Sequence, residues 1–193
     1  CQGSYRCPWH QGHAPEAGAA RGRAGHPHPQ RRFWRGPTLA LIRSFRDAPR
    51  RCQLIVVAGA NQALQRDAER EAAALPVPAR VFGFVSNIHE LMDAADVAVS
   101  KPGGLTTSEA MAKGLPMLIV DPIPGQEQRN AEYLLENGAA RRLYEPDDAP
   151  HKIEAMLGSP GQLAEMQKCA RRLGHPQAAA EIVRDICLRC RAG

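Results

Sequence analysis

"DVAVSKPGGLTTSEAMAKGLPMLIVDPIPGQEQRNAEYLLENGAARRLY", Asp96 to Tyr144, decides the fold of this chain. Two apolar runs, "DVAVS" and "PMLIVD", and a third segment that can supply the last strand, "AARRLY", are separated by two amphipathic runs, "LTTSEAMAK" and "QRNAEYLLEN", each closed by a glycine, Gly114 or Gly138. Continuously apolar runs mark strands buried on both faces, and a helix between each pair returns the chain so that the next strand runs parallel. The same order holds upstream, where "PTLALIRSFRDA" is helical, "QLIVVAG" (Gln53 to Gly59) is a strand, "NQALQRDAEREAAAL" is helical, "ARVFGFV" is a strand and "NIHELMDAA" a short helix. The expected fold is α/β, a Rossmann-like parallel sheet sandwiched between helices. Three helical stretches then finish the chain, breaking at "GSPG" and "LGHP". One carries Leu163, Met166, Ala170 and Leu173 on a single stripe and the last carries Ile182, Val183 and Ile186; both stripes are expected to face the core.

The 193 residues carry a net charge of +5, placed unevenly. Cys1 to Arg51 holds ten Arg, no Lys and only Glu16 and Asp47 as acids, a local charge of +8 that leaves −3 for the rest. A basic chain ordinarily suggests nucleic acid, but here the excess sits at one end and the body is mildly acidic, so no nucleic-acid partner is expected. Residues 1–36 are rich in Gly, Pro, Arg and His and lack Leu, Ile and Val, so they are expected to be poorly ordered. An out-of-frame coding start would give the same composition.

No stretch approaches the roughly 20 apolar residues of a membrane span, and the N-terminus has no compact apolar signal core. A cytoplasmic setting is expected, in which Cys1, Cys7, Cys52, Cys169, Cys187 and Cys190 stay reduced. Cys187 and Cys190 have CxxC spacing but no second matching pair, and no metal site is expected.

In an open parallel sheet ligands sit at the carboxyl ends of the strands, and three loops there carry chemistry. After "DVAVS", Gly103 and Gly104 let backbone approach a ligand, while first-turn N–H groups and the helix dipole favour a phosphate. The alternative is a tight turn, with Thr106 and Glu109 in a capping box. After "PMLIVD", the loop "PIPGQEQRN" presents Gln126, Glu127, Gln128, Arg129 and Asn130 at a helix start, amides and acids that suit sugar hydroxyls or simply a polar first turn. The third loop, "FVSNIHE", has little side-chain chemistry beyond Asn87 and His89 and suits backbone readout of a flat base, with Val85 and Ile88 beside it.

"GFVSNIHELMDAADVAVSKPGGLTTSEAMAKGLPMLIVDPIPGQEQRNAEYLLENGAA" resembles the UDP-sugar-binding half of glycosyltransferase family 28, closest to the enzymes that make monogalactosyl- or glucosyl-diacylglycerol. The combination "SKPGG…TSEA…GLP" followed by "PGQE…N…GAA" is more specific than either piece alone. The resemblance implies the C-terminal half of a GT-B hexosyltransferase, with residues 37–193 as the nucleotide-sugar-binding domain and its terminal helices. It implies that Val85 offers its backbone to uracil, that Gly103, Gly104, Leu105 and Thr106 line the diphosphate and sugar side, that Glu109 holds the ribose, and that Gln126 and Glu127 meet the hexose with Asn130 nearby.

It further implies an inverting transfer from a UDP-sugar to a lipid acceptor such as diacylglycerol, without an obligatory metal or cofactor, on the cytoplasmic face of a membrane held by peripheral contact. Asp147 and Asp148 are adjacent, but their place after the last strand reads as a helix N-terminus. No catalytic base is assigned, because the family places it in an acceptor domain that has no counterpart in these residues. The first strand of the donor domain and its glycine loop should lie just before "GPTLALIRSF", where "GHPHPQRRFWR" stands instead. The chain alone is therefore expected to be an inactive donor-binding piece whose sheet has an unpaired edge. A binding module that needs a separate acceptor chain, or a UDP-sugar epimerase-like domain, are the alternatives.

Overall fold

The structure, a computed structural model, describes residues 5–10 as backbone and residues 37–48 and 52–191. Six strands, β1 (Tyr5–His10), β2 (Cys52–Val57), β3 (Ala79–Phe82), β4 (Ala98–Ser100), β5 (Met117–Val120) and β6 (Ala140–Leu143), form one sheet in the order β3-β2-β1-β4-β5-β6. Every pairing is parallel. The chain runs outward from β1 to β3, returns to place β4 beside β1, and runs outward the other way. This is the doubly wound order, and its reversal lies between the carboxyl ends of β1 and β4, where His10 pairs with Ser100.

The helices are α1 (Thr38–Ser44), α2 (Gln62–Ala73), α3 (Ile88–Asp93), α4 (Gly104–Ala112), α5 (Gln126–Glu136), α6 (Ala149–Leu157), α7 (Pro160–Leu173) and α8 (Ala178–Arg191). Successive strand residues point to opposite faces, and both faces are filled. In β5, Leu118 and Val120 pack with α1, α2 and α6, whereas Met117 and Ile119 pack with Met92 of α3, Ala110 of α4 and Leu134 of α5. A strand covered on both sides has no use for polar residues, which is why β5 reads as an unbroken apolar run. The helix α7 closes both layers, with Leu163 and Met166 in one cluster and Ala170 in the other.

Two expectations are corrected. Within the segment expected to be poorly ordered, Tyr5–His10 is a central strand, paired with β2 over six residues and with β4 over two, so the edge expected to be unpaired is filled there. Without it, β2 and β4 would each present a row of unmatched backbone groups at the middle of the sheet. Any extended segment satisfies such a row, aliphatic or not; Pro8 brings no N–H, so this strand forgoes one donor. The remainder of that segment, residues 1–4 and 11–36, lies outside the described residues. The second correction is α8: Ile182, Val183 and Ile186, expected in the core, are 58%, 59% and 54% exposed. Periodicity established an apolar face but not its neighbour, and among the described residues nothing covers it. Asp147 and Asp148 do stand at a helix start, in the single 3-10 turn (Pro146–Asp148) that leads into α6.

Candidate functional site

Between β4 and α4 the chain turns through Lys101, Pro102 and Gly103, with the Gly103 N–H donating to the Lys101 carbonyl at 2.9 Å. Gly103 is the N-cap of α4, and no side chain caps this helix. Its first-turn N–H groups, at Gly104, Leu105 and Thr106, have no acceptor a turn earlier in the helix and point out of its end. Gly103 has φ −64 and ψ 148, a conformation open to any residue, and a Cβ there would meet nothing within 4 Å. A Cβ on Gly104 would meet only the Gln126 Nε2 atom, at 3.5 Å, an ordinary contact. Neither backbone conformation nor crowding by the described residues requires this glycine pair, and the plain-turn alternative gives it no reason among them. Among the described residues, open space above the first-turn amides is what the pair provides.

Leu105 is 77% exposed beside that space, whereas the Thr106 side chain is buried, so Thr106 faces the open end through its N–H alone. The alternative that the sequence left open, a capping box of Thr106 with Glu109, does not form. The Thr107 N–H already bonds the Gly103 carbonyl at 2.9 Å, so the ladder starts at Gly103, Thr106 is inside the first turn and Glu109 falls in the second. Glu109 is exposed and stands one turn above Leu105 on the same side of α4.

The loop between β5 and α5 approaches from the neighbouring strand. Gly125, the N-cap of α5, has φ 108 and here glycine is needed for the turn itself. The Glu127 carboxylate accepts from the Ile123 N–H at 2.9 Å, folding the loop over its own helix start. Asn130, one turn further, donates its Nδ2 hydrogen to the Pro102 carbonyl at 2.9 Å and so ties α5 to the β4–α4 turn. A second tie went unnoticed in the sequence: Lys101 Nζ lies 2.9 Å from the Asp121 carboxylate. Each of these residues directly follows the last residue of its strand, and β4 pairs with β5, so register alone could have brought them together.

Residues 39–182 match the glycosyltransferase family 28 C-terminal domain. The chain belongs to glycosyltransferase family 28. A curated relative, the processive diacylglycerol beta-glucosyltransferase of Bacillus cereus (strain 03BB102), is 36% identical over 151 residues, which is 78% of this chain and 39% of the relative. The chain thus spans about two fifths of the length of the curated relatives it matches. Among solved structures, MurG of Acinetobacter baumannii superposes with a TM-score of 0.65 at 21% identity, covering 77% of this chain and 44% of MurG. Anabaena Alr3699/HepE, solved in complex with UDP and glucose, superposes with a TM-score of 0.61 at 17% identity, covering 94% of this chain and 48% of its own. At these identities the superpositions establish the fold, one half of a GT-B glycosyltransferase.

Within this family 28 domain the sequence-derived residues form one cluster and one outlier. Gly103, Gly104, Leu105, Thr106, Glu109, Gln126, Glu127 and Asn130 all lie on the β4–α4 and β5–α5 junctions. Val85 sits half-buried in the loop after β3, on the far side of β1 and β2. Three strand spacings, about 14 Å, separate that strand from β4. A ligand touching both must be elongated.

Proposed function

We propose that this chain is the donor-binding half of an inverting glycosyltransferase that moves a hexose from a UDP-sugar to a lipid acceptor such as diacylglycerol. The observation that carries the reading is the Gly103–Gly104 pair, which neither its backbone conformation nor the packing of the described residues requires and which leaves the first-turn amides facing space that is open among those residues. A diphosphate fits there: three first-turn N–H groups and the positive end of the α4 dipole favour an anion, and a side chain at either glycine would stand in its way. Glu109, exposed and without a capping role, is positioned one turn up to accept from ribose hydroxyls. Gln126 and Glu127 face the hexose, with Asn130 holding the loop that carries them. The Val85 backbone reads the uracil at the other end of an elongated nucleotide.

In the reaction, an acceptor hydroxyl oxygen forms a bond to the anomeric carbon while the bond from that carbon to the diphosphate oxygen breaks. The electron pair leaves with UDP, and its charge grows where the α4 amides already point, so they stabilise the transition state more than the bound donor. The acceptor's proton goes to a base outside this half, and we propose that the half alone binds donor without transferring sugar. The relatives' name supports a glycerolipid acceptor, and an acceptor of that kind would be met by peripheral contact with the cytoplasmic face of a membrane. Among the described residues no helix is long and apolar enough to cross one. Thermal denaturation with UDP, ADP and NAD tests the donor: UDP alone is expected to raise the melting temperature, and equal protection by all three would remove uridine from the account.

A further inference from the structure

Three links converge on the short turn that aims the α4 amides. The Gly103 N–H closes it on the Lys101 carbonyl, Asn130 grips the Pro102 carbonyl from α5, and Asp121 grips the Lys101 ammonium from the end of β5. Asp121 is also the described non-glycine residue with a left-handed backbone, φ 39. Such a conformation costs energy for most residues and persists where the surroundings hold it; Asp and Asn tolerate it best. It turns the chain at the carboxyl end of β5, at the point from which the carboxylate meets Lys101 on the next strand. The ion pair and the Asn130 bond thus brace the β4–α4 turn on either side of Pro102, which is buried.

We infer that Asp121 and Lys101 are positioning residues for the diphosphate cradle: their ion pair fixes the β4–α4 turn against the β5–α5 loop, and so sets the aim of the α4 first-turn amides relative to Gln126. This rests on the donor-site reading above. Removing the link leaves the fold intact, since both partners are partly exposed, at 28% and 43%, and neither belongs to the core. The loosened turn costs affinity where the amides meet phosphate and nowhere else.

The test is calorimetric titration of the whole chain with UDP and with uridine, which carries no phosphate, for wild type, Asp121→Asn, Lys101→Met and the double variant. Asn keeps the left-handed backbone accessible and removes only the charge. The expected result is a threefold to fivefold loss of UDP affinity, about the span of a partly exposed pair, in each single variant and no further loss in the double. Uridine affinity and melting temperature stay at wild-type values. Unchanged UDP affinity in Asp121→Asn overturns the proposal and leaves the donor site standing. Tighter UDP binding in Asp121→Asn also overturns it, by showing that Asp121 competes with the diphosphate for Lys101. A parallel fall in UDP affinity, uridine affinity and melting temperature overturns it as a general structural effect. Failure of the wild type to bind UDP removes the donor site itself and this inference with it.

Discussion

Gly103 and Gly174 are glycines for opposite reasons, and substitution separates them. A Cβ on Gly174 would run into the Met111 carbonyl oxygen, so Gly174→Ala forces the end of α7 away from α4 and lowers the melting temperature. Among the described residues Gly103→Ala meets only open space, and its backbone suits alanine. It should therefore leave stability unchanged or raise it by about 0.4 to 1 kcal/mol, the usual gain from a less flexible unfolded chain. The same substitution should cost tenfold or more in UDP affinity, because a methyl group displaces phosphate from charge-assisted hydrogen bonds worth about 1.5 to 3 kcal/mol each. A stable Gly103→Ala protein that binds UDP as well as wild type contradicts the cradle. At Glu109 the sequence left capping and ligand roles open, and the helix start at Gly103 excludes the capping one. Glu109→Ala is expected to weaken UDP binding by about 1 to 3 kcal/mol with no loss of helix stability. A drop in melting temperature with unchanged UDP affinity would restore the capping role. What the sequence could not show at this scale was where α4 begins, since two consecutive glycines permit several starts and only the Thr107 to Gly103 bond selects one.

The elements were legible where burial is two-sided. The strands β2, β4 and β5 read as apolar runs because both of their faces meet helices, and α4 and α5 ended where Gly114 and Gly138 take φ 64 and 72. The strand β1 was not legible, because Tyr5–His10 offers no aliphatic run and its place is set by backbone groups on β2 and β4 far along the chain. Long-range ion pairs were equally invisible. Glu71 of α2 accepts from Arg43 Nε at 2.9 Å and from Arg46 Nη2 at 2.7 Å, joining α2 to the end of α1 and the turn after it. The hydrogen bond from Arg43 first, and then the nearby charge of Arg43 and Arg46, hold the Glu71 carboxyl below the usual carboxylate range against the opposing pull of burial. A depressed folded-state value means stability that is full above about pH 4.3, where the unfolded side chain ionises, and is lost as pH falls through the lower folded value. The expected outcome is that Glu71→Gln melts below wild type at pH 7 and that the gap closes in the acid range; a gap independent of pH would show that charge plays no part in joining α1 to α2.

Across the whole molecule, the architecture and the place of the β4–α4 and β5–α5 junctions in it followed from the sequence, whereas the place of the last helix did not. A stripe at helical spacing records that a face is apolar, and α7 and α8 carry equally clear stripes, yet Met166 is buried and Ile186 is 54% exposed. Replacing Met166 with Ala should cost about 2 to 5 kcal/mol, whereas Ile182→Ser with Ile186→Ser should leave the melting temperature within about a degree of wild type. A large loss from the α8 pair would mean that this helix packs on the domain in solution.

The most direct measurement is a crystal of this chain grown with UDP. The account predicts the diphosphate within hydrogen-bond distance of the Gly104, Leu105 and Thr106 amides, the ribose at Glu109 and the uracil against the loop holding Val85. A nucleotide bound at any other strand end, with the space above Gly103 and Gly104 still empty, would contradict it.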